Sequence, residues 1–151
     1  MLIFWGDHLP ALGSSFSIYR ELGLEIGNEA DMEWALETYS TPYVIYANRA
    51  FCAQYDFEAK KEALSLPAGN RISDVYLGEL VYELLDMQGT SAYFDFLSQI
   101  RRSLPVICRG RFMLPDGTLT EQLGDEDKAL LRKLYCWGYY RIMEQRIEAS
   151  E

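Results

Sequence analysis

Histidine occurs once in the 151 residues, cysteine three times and proline five times. The cysteines, Cys52, Cys108 and Cys136, are odd in number and widely spaced, so they form no disulfide framework, and no Cys-x-x-Cys pair is present to hold zinc. They are expected as free, mostly buried thiols. A cysteine nucleophile would need the single histidine, His8, beside it, and the spacing gives no sign of that. Long hydrophobic runs are missing too: nothing approaches the ~18–20 apolar residues that span a bilayer. The opening Leu2–Trp5 run is too short for a signal peptide, has no basic residue before it and shows no cleavage pattern. Translated as written, the chain is expected to stay in the cytoplasm. Basic residues are scarce, 14 Lys and Arg against 23 Asp and Glu, for a net charge of −9. The imbalance is steepest at the start, where Asp7, Glu21, Glu25, Glu29, Asp31, Glu33 and Glu37 face Arg20 alone. Such a surface repels nucleic acid, and no basic stripe with interleaved aromatics offsets it. Arg101, Arg102, Arg109 and Arg111 make the one basic cluster, either a solvated face or an anion-binding patch.

What is present is a globular composition, 49% apolar and 14% aromatic, in a length that can bury a core. Leu2–Trp5 reads as a buried strand ending at Gly6, followed by a loop through Pro10 and Gly13 to Ser17. An acidic helix is expected from about Glu29 to Thr38, with Asn28 as its cap and Met32, Leu36 and Tyr39 along one face. Thr41-Pro42 breaks it, and Tyr43–Ala47 reads as a second buried strand. Strand, helix, strand in that order usually closes a mostly parallel sheet.

The second half differs. Ser73 can cap a helix over 74–88 with Tyr76, Leu80, Leu84 and Met87 on one side, stopped by Gly89. Ser91 can start another, carrying Tyr93, Phe94, Leu97 and Ile100 and ending at Leu104-Pro105. Val106–Leu114 reads as a strand, Pro115-Asp116-Gly117 as a turn and Thr118–Thr120 as a partner strand. The longest helix is expected from Asp125 to about Ile147, with Leu130, Leu131, Leu134, Tyr135 and Ile142 as its buried stripe.

Only Gly6-Asp7-His8 combines groups that carry chemistry. In an open α/β sheet, ligand sites collect beyond the carboxyl ends of strands. A carboxylate and a neutral imidazole there can both bind a divalent cation, and Gly6 lets the backbone leave strand geometry so that both side chains turn toward one ion. Spacing alone leaves this open against a purely structural histidine.

These residues sit in a wider pattern. "FWGDHLPALG" resembles the metal-site segment of lipoteichoic acid synthase-type enzymes, in the sulfatase and alkaline phosphatase superfamily, where a buried strand ends in Gly-Asp-His-x-Pro. "LETYSTPYVIYAN" resembles the following segment, in which Thr-Pro leads a strand ending in asparagine. "SDVYLGELVYELLDMQGTSAYFDFLSQIRRSLPVI" resembles the family's C-terminal helical pair and Pro-Val strand, and "LRKLYCWGYYR" its closing helix. That helix commonly carries Gln-Tyr-Asp where Gly138-Tyr139-Tyr140 stand here, so a polar pair is lost. The similarity runs over roughly residues 2–142.

The resemblance implies an α/β fold: the C-terminal part of an alkaline phosphatase-like sheet over 1–72, then a small α+β subdomain over 73–151 with a long last helix. It implies Asp7 and His8 as ligands of a divalent metal (Mn, Mg or Zn) in a phosphoglycerol transferase or related ester hydrolase. In that family a threonine nucleophile and a further carboxylate lie upstream of Gly-Asp-His, and the parent enzymes are membrane-anchored with the enzyme domain outside the cell. Only six residues precede Asp7, so the chain is expected to match a C-terminal portion, to hold metal weakly or not at all, and to be inactive alone. Alternatives are a non-catalytic interaction module, half of a split enzyme, or a truncated gene product. The first strand, interior in the family, is expected to need cover from a second copy or from the missing N-terminal catalytic segment.

Overall fold

The computed structural model describes the backbone of residues 1–27 and 30–148, with the side chains of the last helix described as far as residue 143. The fold is mixed helix and strand. Strand β1 (Leu2–Trp5) is followed by a loop, a short 3₁₀ turn and helix α1 (Ser17–Glu21). Helix α2 (Met32–Thr38) leads to β2 (Tyr43–Tyr46), then to α3 (Arg49–Tyr55) and α4 (Phe57–Ala63). The second half contains α5 (Leu77–Leu84), α6 (Ala92–Ser103), strands β3 (Val106–Cys108), β4 (Arg111–Met113) and β5 (Leu119–Thr120), and α7 (Asp125–Glu148).

The two early strands form where expected, but they pair antiparallel, Leu2 opposite Tyr46 and Trp5 opposite Tyr43, which corrects the expected parallel arrangement. The cause lies at Thr41-Pro42. Gly6 N–H donates to the Pro42 carbonyl at 3.1 Å and the Thr41 hydroxyl donates to the Gly6 carbonyl at 2.7 Å. These bonds hold the end of β1 against the start of β2, so the chain returns along β1 in the opposite sense. Burial departs from expectation as well. Ile3, Tyr43 and Ile45 are half-buried, whereas Leu2, Phe4, Val44 and Tyr46 are exposed, because the two-stranded ribbon has a packed inner face and an uncovered outer one.

Helix α2 begins at Met32, not Glu29. Asp31 is its cap, accepting from the Trp34 N–H at 3.0 Å; the expected cap Asn28 and the expected start Glu29 lie outside the described residues. Tyr39 follows the helix and is exposed, while Ala35, Leu36 and Thr38 are buried. Arg71 binds Glu33 and Glu37, one helical turn apart, at 2.5 Å each, which ties this helix to the segment before α5.

The main core lies between α6, the β3–β4–β5 sheet and α7. Tyr76, Phe96, Leu97, Ile100, Leu104 and Phe112 are buried together. The Tyr76 hydroxyl satisfies itself on the Leu104 carbonyl at 3.0 Å. Ser91 caps α6 as expected, accepting from the Phe94 N–H. Ser73 does not cap α5. Its hydroxyl bridges to β3 instead, donating to the Ile107 carbonyl at 3.1 Å and accepting from the Ile107 N–H at 2.7 Å. Helix α5 also stops at Leu84, short of Gln88, because Asp86 takes a left-handed conformation and leaves Met87 exposed.

The expected 106–114 strand is a tight hairpin. Arg109 and Gly110 both have positive φ, which turns the chain between β3 and β4. Helix α7 covers the core with Leu130, Leu131, Leu134 and Trp137, all half-buried. Tyr135 and Ile142, expected in that stripe, are exposed: Tyr135 lies off the line of Leu130, Leu134 and Trp137, and Ile142 follows the last of the helix residues packed on that core. A second cluster joins the two halves: Phe57 and Leu64 pack against Leu80 and Leu84 of α5, with Tyr43 and Ile45 beneath the ribbon. Among the described residues, no helix is long and apolar enough to cross a membrane.

Candidate functional site

The Asp7-His8 pair stands just beyond the end of β1. Gly6 positions it through close approach: a Cβ built there would come within 3.0 Å of Thr41 Cβ. Glycine lets the strand end press against the Thr41-Pro42 turn, and the chain then leaves the sheet at Asp7. Both side chains are mostly exposed, 84% for Asp7 and 76% for His8.

Their geometry is local and specific. Asp7 Oδ1 accepts from the His8 backbone N–H at 2.8 Å. The other carboxylate oxygen, Oδ2, lies 3.5 Å from His8 Nε2. His8 Nδ1 lies 3.2 Å from the Leu9 carbonyl. A carbonyl can only accept, so in the neutral ring this contact places the proton on Nδ1. Nε2 then carries a lone pair beside a carboxylate oxygen. A cation held between oxygen and nitrogen would suit that juxtaposition, the usual logic of a metal-bound histidine oriented by a carbonyl on its far nitrogen.

The donor set stops at two. Among the described residues, no group of three or more His, Cys, Asp or Glu side chains comes together. Closed zinc sites use four protein ligands and catalytic ones three, so the pair fits part of a metal centre and not a whole one.

Two open clefts meet at Asp7. The larger, about 1170 Å³, runs beneath the ribbon and is lined by Trp5, Asp7, Tyr39, Arg71 and Arg109, among others. The smaller, about 970 Å³, is lined by His8, Arg20, Glu25, Thr38 and Tyr39 as well as Asp7. Tyr39 belongs to the walls of both. The Arg109 guanidinium stacks 5.0 Å above its ring and also donates to its hydroxyl. Arg109 belongs to the basic cluster and Tyr39 to the expected face of the acidic helix, but their contact has no sequence signal, since it depends on a hairpin tip reaching a loop 70 residues away.

The arginine cluster does not gather into an anion site. Arg102 pairs with Glu83 at 2.6 Å, Arg111 lies 3.4 Å from Glu121, and Arg109 is on Tyr39. Arg101 is 1% exposed and forms a buried network. Its Nε is 2.6 Å from Glu79, its other nitrogens reach Glu83 at 2.8 Å and the Leu64 carbonyl at 2.8 Å, and Ser98 donates to Glu83. Burial pushes the Glu79 carboxyl above its usual range, with Arg101 pulling it back. Burial likewise raises the Tyr43 phenol, again opposed by Arg101. The i, i+4 spacing of Glu79 and Glu83 was the available signal, but it is equally the signature of a solvated helix face. Of the cysteines, Cys52 and Cys108 are half-buried and none of the three is in a disulfide; Cys136 is exposed on α7, against the expectation of burial.

No family model, no curated protein and no solved structure matches this chain.

Proposed function

We propose that Asp7 and His8 supply two ligands of a divalent-metal centre for phosphoryl or sulfuryl ester chemistry, in a protein portion of the lipoteichoic acid synthase type. The observation that supports this reading is the pairing of His8 Nε2 with Asp7 Oδ2 at 3.5 Å, on a turn made possible by Gly6 and oriented by the Leu9 carbonyl. When bound, a divalent ion in such a centre lowers the pKa of a nucleophile and stabilises charge on the transferred group. The residues of this chain do the holding. Asp7 brings a hard, charged oxygen, and His8 brings a nitrogen whose tautomer the Leu9 carbonyl selects. Tyr39 and Arg109 wall the adjoining cleft.

On this reading the remaining ligand and the threonine nucleophile come from polypeptide other than the residues described, the sheet of β1 and β2 belongs to an alkaline phosphatase-like fold, and the complete enzyme is membrane-anchored and works outside the cell. With two ligands, the chain alone binds metal weakly and turns over no ester.

The test is calorimetric titration of the purified chain with Mn²⁺ and Zn²⁺, beside Asp7→Ala and His8→Ala. Weak binding that falls by at least the ~10–100-fold typical of a damaged ligand shell is expected in each variant. Binding that both variants leave unchanged overturns the assignment. Hydrolysis of an aryl phosphate or sulfate ester by the wild type, abolished in Asp7→Ala, would show the chain to be active alone and overturn the claim of a partial centre.

A second reading, a non-catalytic interaction module, is favoured by one feature: the exposed apolar outer face of the β1–β2 ribbon. Its partner would be a second copy of the chain or the polypeptide that completes the enzyme.

A further inference from the structure

Neither strand of the β1–β2 ribbon carries a charge, a proline or a bulge, the usual protections of an exposed sheet. Alternation sorts its side chains, Trp5 excepted: it falls on the inner side with Ile3 and opposite Tyr43, yet is 52% exposed and lines the larger cleft. Ile3, Tyr43 and Ile45 are half-buried on the inner face, with Tyr43 and Ile45 packed on Phe57, Leu64, Leu80 and Leu84. Leu2, Phe4, Val44 and Tyr46 form the outer face and are 62%, 70%, 56% and 58% exposed. The register places Leu2 opposite Tyr46 and Phe4 opposite Val44, so the four make one contiguous patch.

We infer that this outer face is the interface of a symmetric dimer, in which the ribbon of one copy packs face to face on the ribbon of a second. Three observations select a second copy as the occupant. The first is area: with aromatic side chains covering ~150–250 Å² each, the exposed parts of these four residues amount to on the order of 500 Å². Two such faces together reach roughly 1,000 Å², the lower bound for a specific interface. The second is charge. A chain of net charge −9 repels its own copies, and this uncharged patch is where two copies meet without opposing like charges. The third is layering: a two-stranded ribbon is marginal alone and gains a sheet-on-sheet layer at ~10 Å spacing when its free face is covered. A two-fold axis makes the same patch serve both copies.

The inferred contact is the face and not the main-chain edge. Gly6 N–H faces Pro42, so alternation turns the backbone of Phe4 and Leu2 toward β2 and that of Ile3 and Trp5 away from it. Edge pairing of β1 with its copy would join Ile3 and Trp5 amides and leave the apolar face uncovered. The inference goes beyond the metal reading and does not use Asp7 or His8.

Sedimentation equilibrium of the full chain in reducing buffer tests it, with a weak dimer expected at a Kd on the order of 10–100 µM. Phe4→Glu is expected to weaken the dimer at least ~100-fold, and Tyr135→Glu, a control on the exposed side of α7, to change the Kd less than threefold. In the wild type, amide shifts that move with concentration should cluster at residues 2–4 and 44–46, a readout that needs no variant to fold. A chain monomeric up to millimolar concentration overturns the inference. So does a dimer that persists in Phe4→Glu and is lost in Tyr135→Glu. Concentration-dependent protection of the Ile3 and Trp5 amides would show edge pairing and overturn the face-to-face arrangement.

Discussion

Arg101 is the side chain whose removal has the largest predictable effect. Replacing it by methionine leaves Glu79 and Glu83 buried without their shared cation, and such a loss typically costs about 3–5 kcal/mol. Urea unfolding should show it as a lowered midpoint with little change in slope. Adding Glu79→Gln and Glu83→Gln to the same variant should recover most of the loss, since the uncompensated charges are then gone. The pH response carries a definite sign. Burial raises the Glu79 carboxyl, so the folded chain holds that proton to a higher pH than the unfolded chain does. Its contribution to stability is therefore greatest at acid pH and falls as pH rises from the ordinary glutamate range through the raised folded value. Unfolding free energies measured at intervals between about pH 4 and 7 should show a descending component in the wild type that Glu79→Gln removes. The absence of any difference in slope would contradict the assignment of that shift to Glu79.

Among the elements, those with a clear local signal form as their sequences indicate. Ser91 before Tyr93, Phe94, Leu97 and Ile100 yields α6, and the Pro115-Asp116-Gly117 turn returns β4 to β5. Asp116 secures that turn by accepting from the Thr118 N–H at 2.9 Å, which holds its carboxyl below the usual range. Ser73 is where a local rule gave way to a distant partner. A serine ahead of a helix reads as a cap, but Ile107 offers both a donor and an acceptor to the same hydroxyl. Ser73→Ala should accordingly cost about 0.5–1.5 kcal/mol, the net worth of a part-buried hydrogen bond. The resulting increase in amide exchange should appear at Ile107 in β3 and not in the first turn of α5. Faster exchange confined to α5 would instead restore the capping role.

At the scale of the whole molecule, the two halves share a core. Leu80 and Leu84 lie under Phe57 and Leu64, and Arg101 reaches the Leu64 carbonyl, so the ribbon and its helices rest on α5 and α6. This leaves one face of the ribbon packed and the other bare. The candidate metal pair and the apolar patch thus occupy opposite aspects of the same strand: Asp7 and His8 beyond its end, Leu2 and Phe4 on its outer side. The titration and sedimentation experiments consequently probe separate surfaces, and either can fail without the other. Because the chain is strongly acidic, added salt should strengthen self-association of an uncharged face by screening the repulsion between copies.

The sequence by itself determined the features that depend on near neighbours along the chain. The positions of both early strands, the α6 cap, the last hairpin, the start of α7 at Asp125 and the grouping of Asp7 with His8 all follow from residue type and short spacing. Tertiary structure decided what depends on a distant partner. The antiparallel sense of β1 and β2 comes from Thr41 and Pro42 bonding to Gly6, 35 residues away in the case of the Thr41 hydroxyl. Tyr135 and Ile142 share helical spacing with Leu131 and Leu134, yet only the placement of α7 against the core decides that the stripe from Leu130 to Trp137 is covered and these two are not. Arg101 and Arg102 are adjacent and identical in chemistry. One is buried and the other exposed because successive residues on a helix point about 100° apart: Arg101 runs inward between Glu79, Glu83 and the Leu64 carbonyl, whereas Arg102 meets Glu83 from the solvent side.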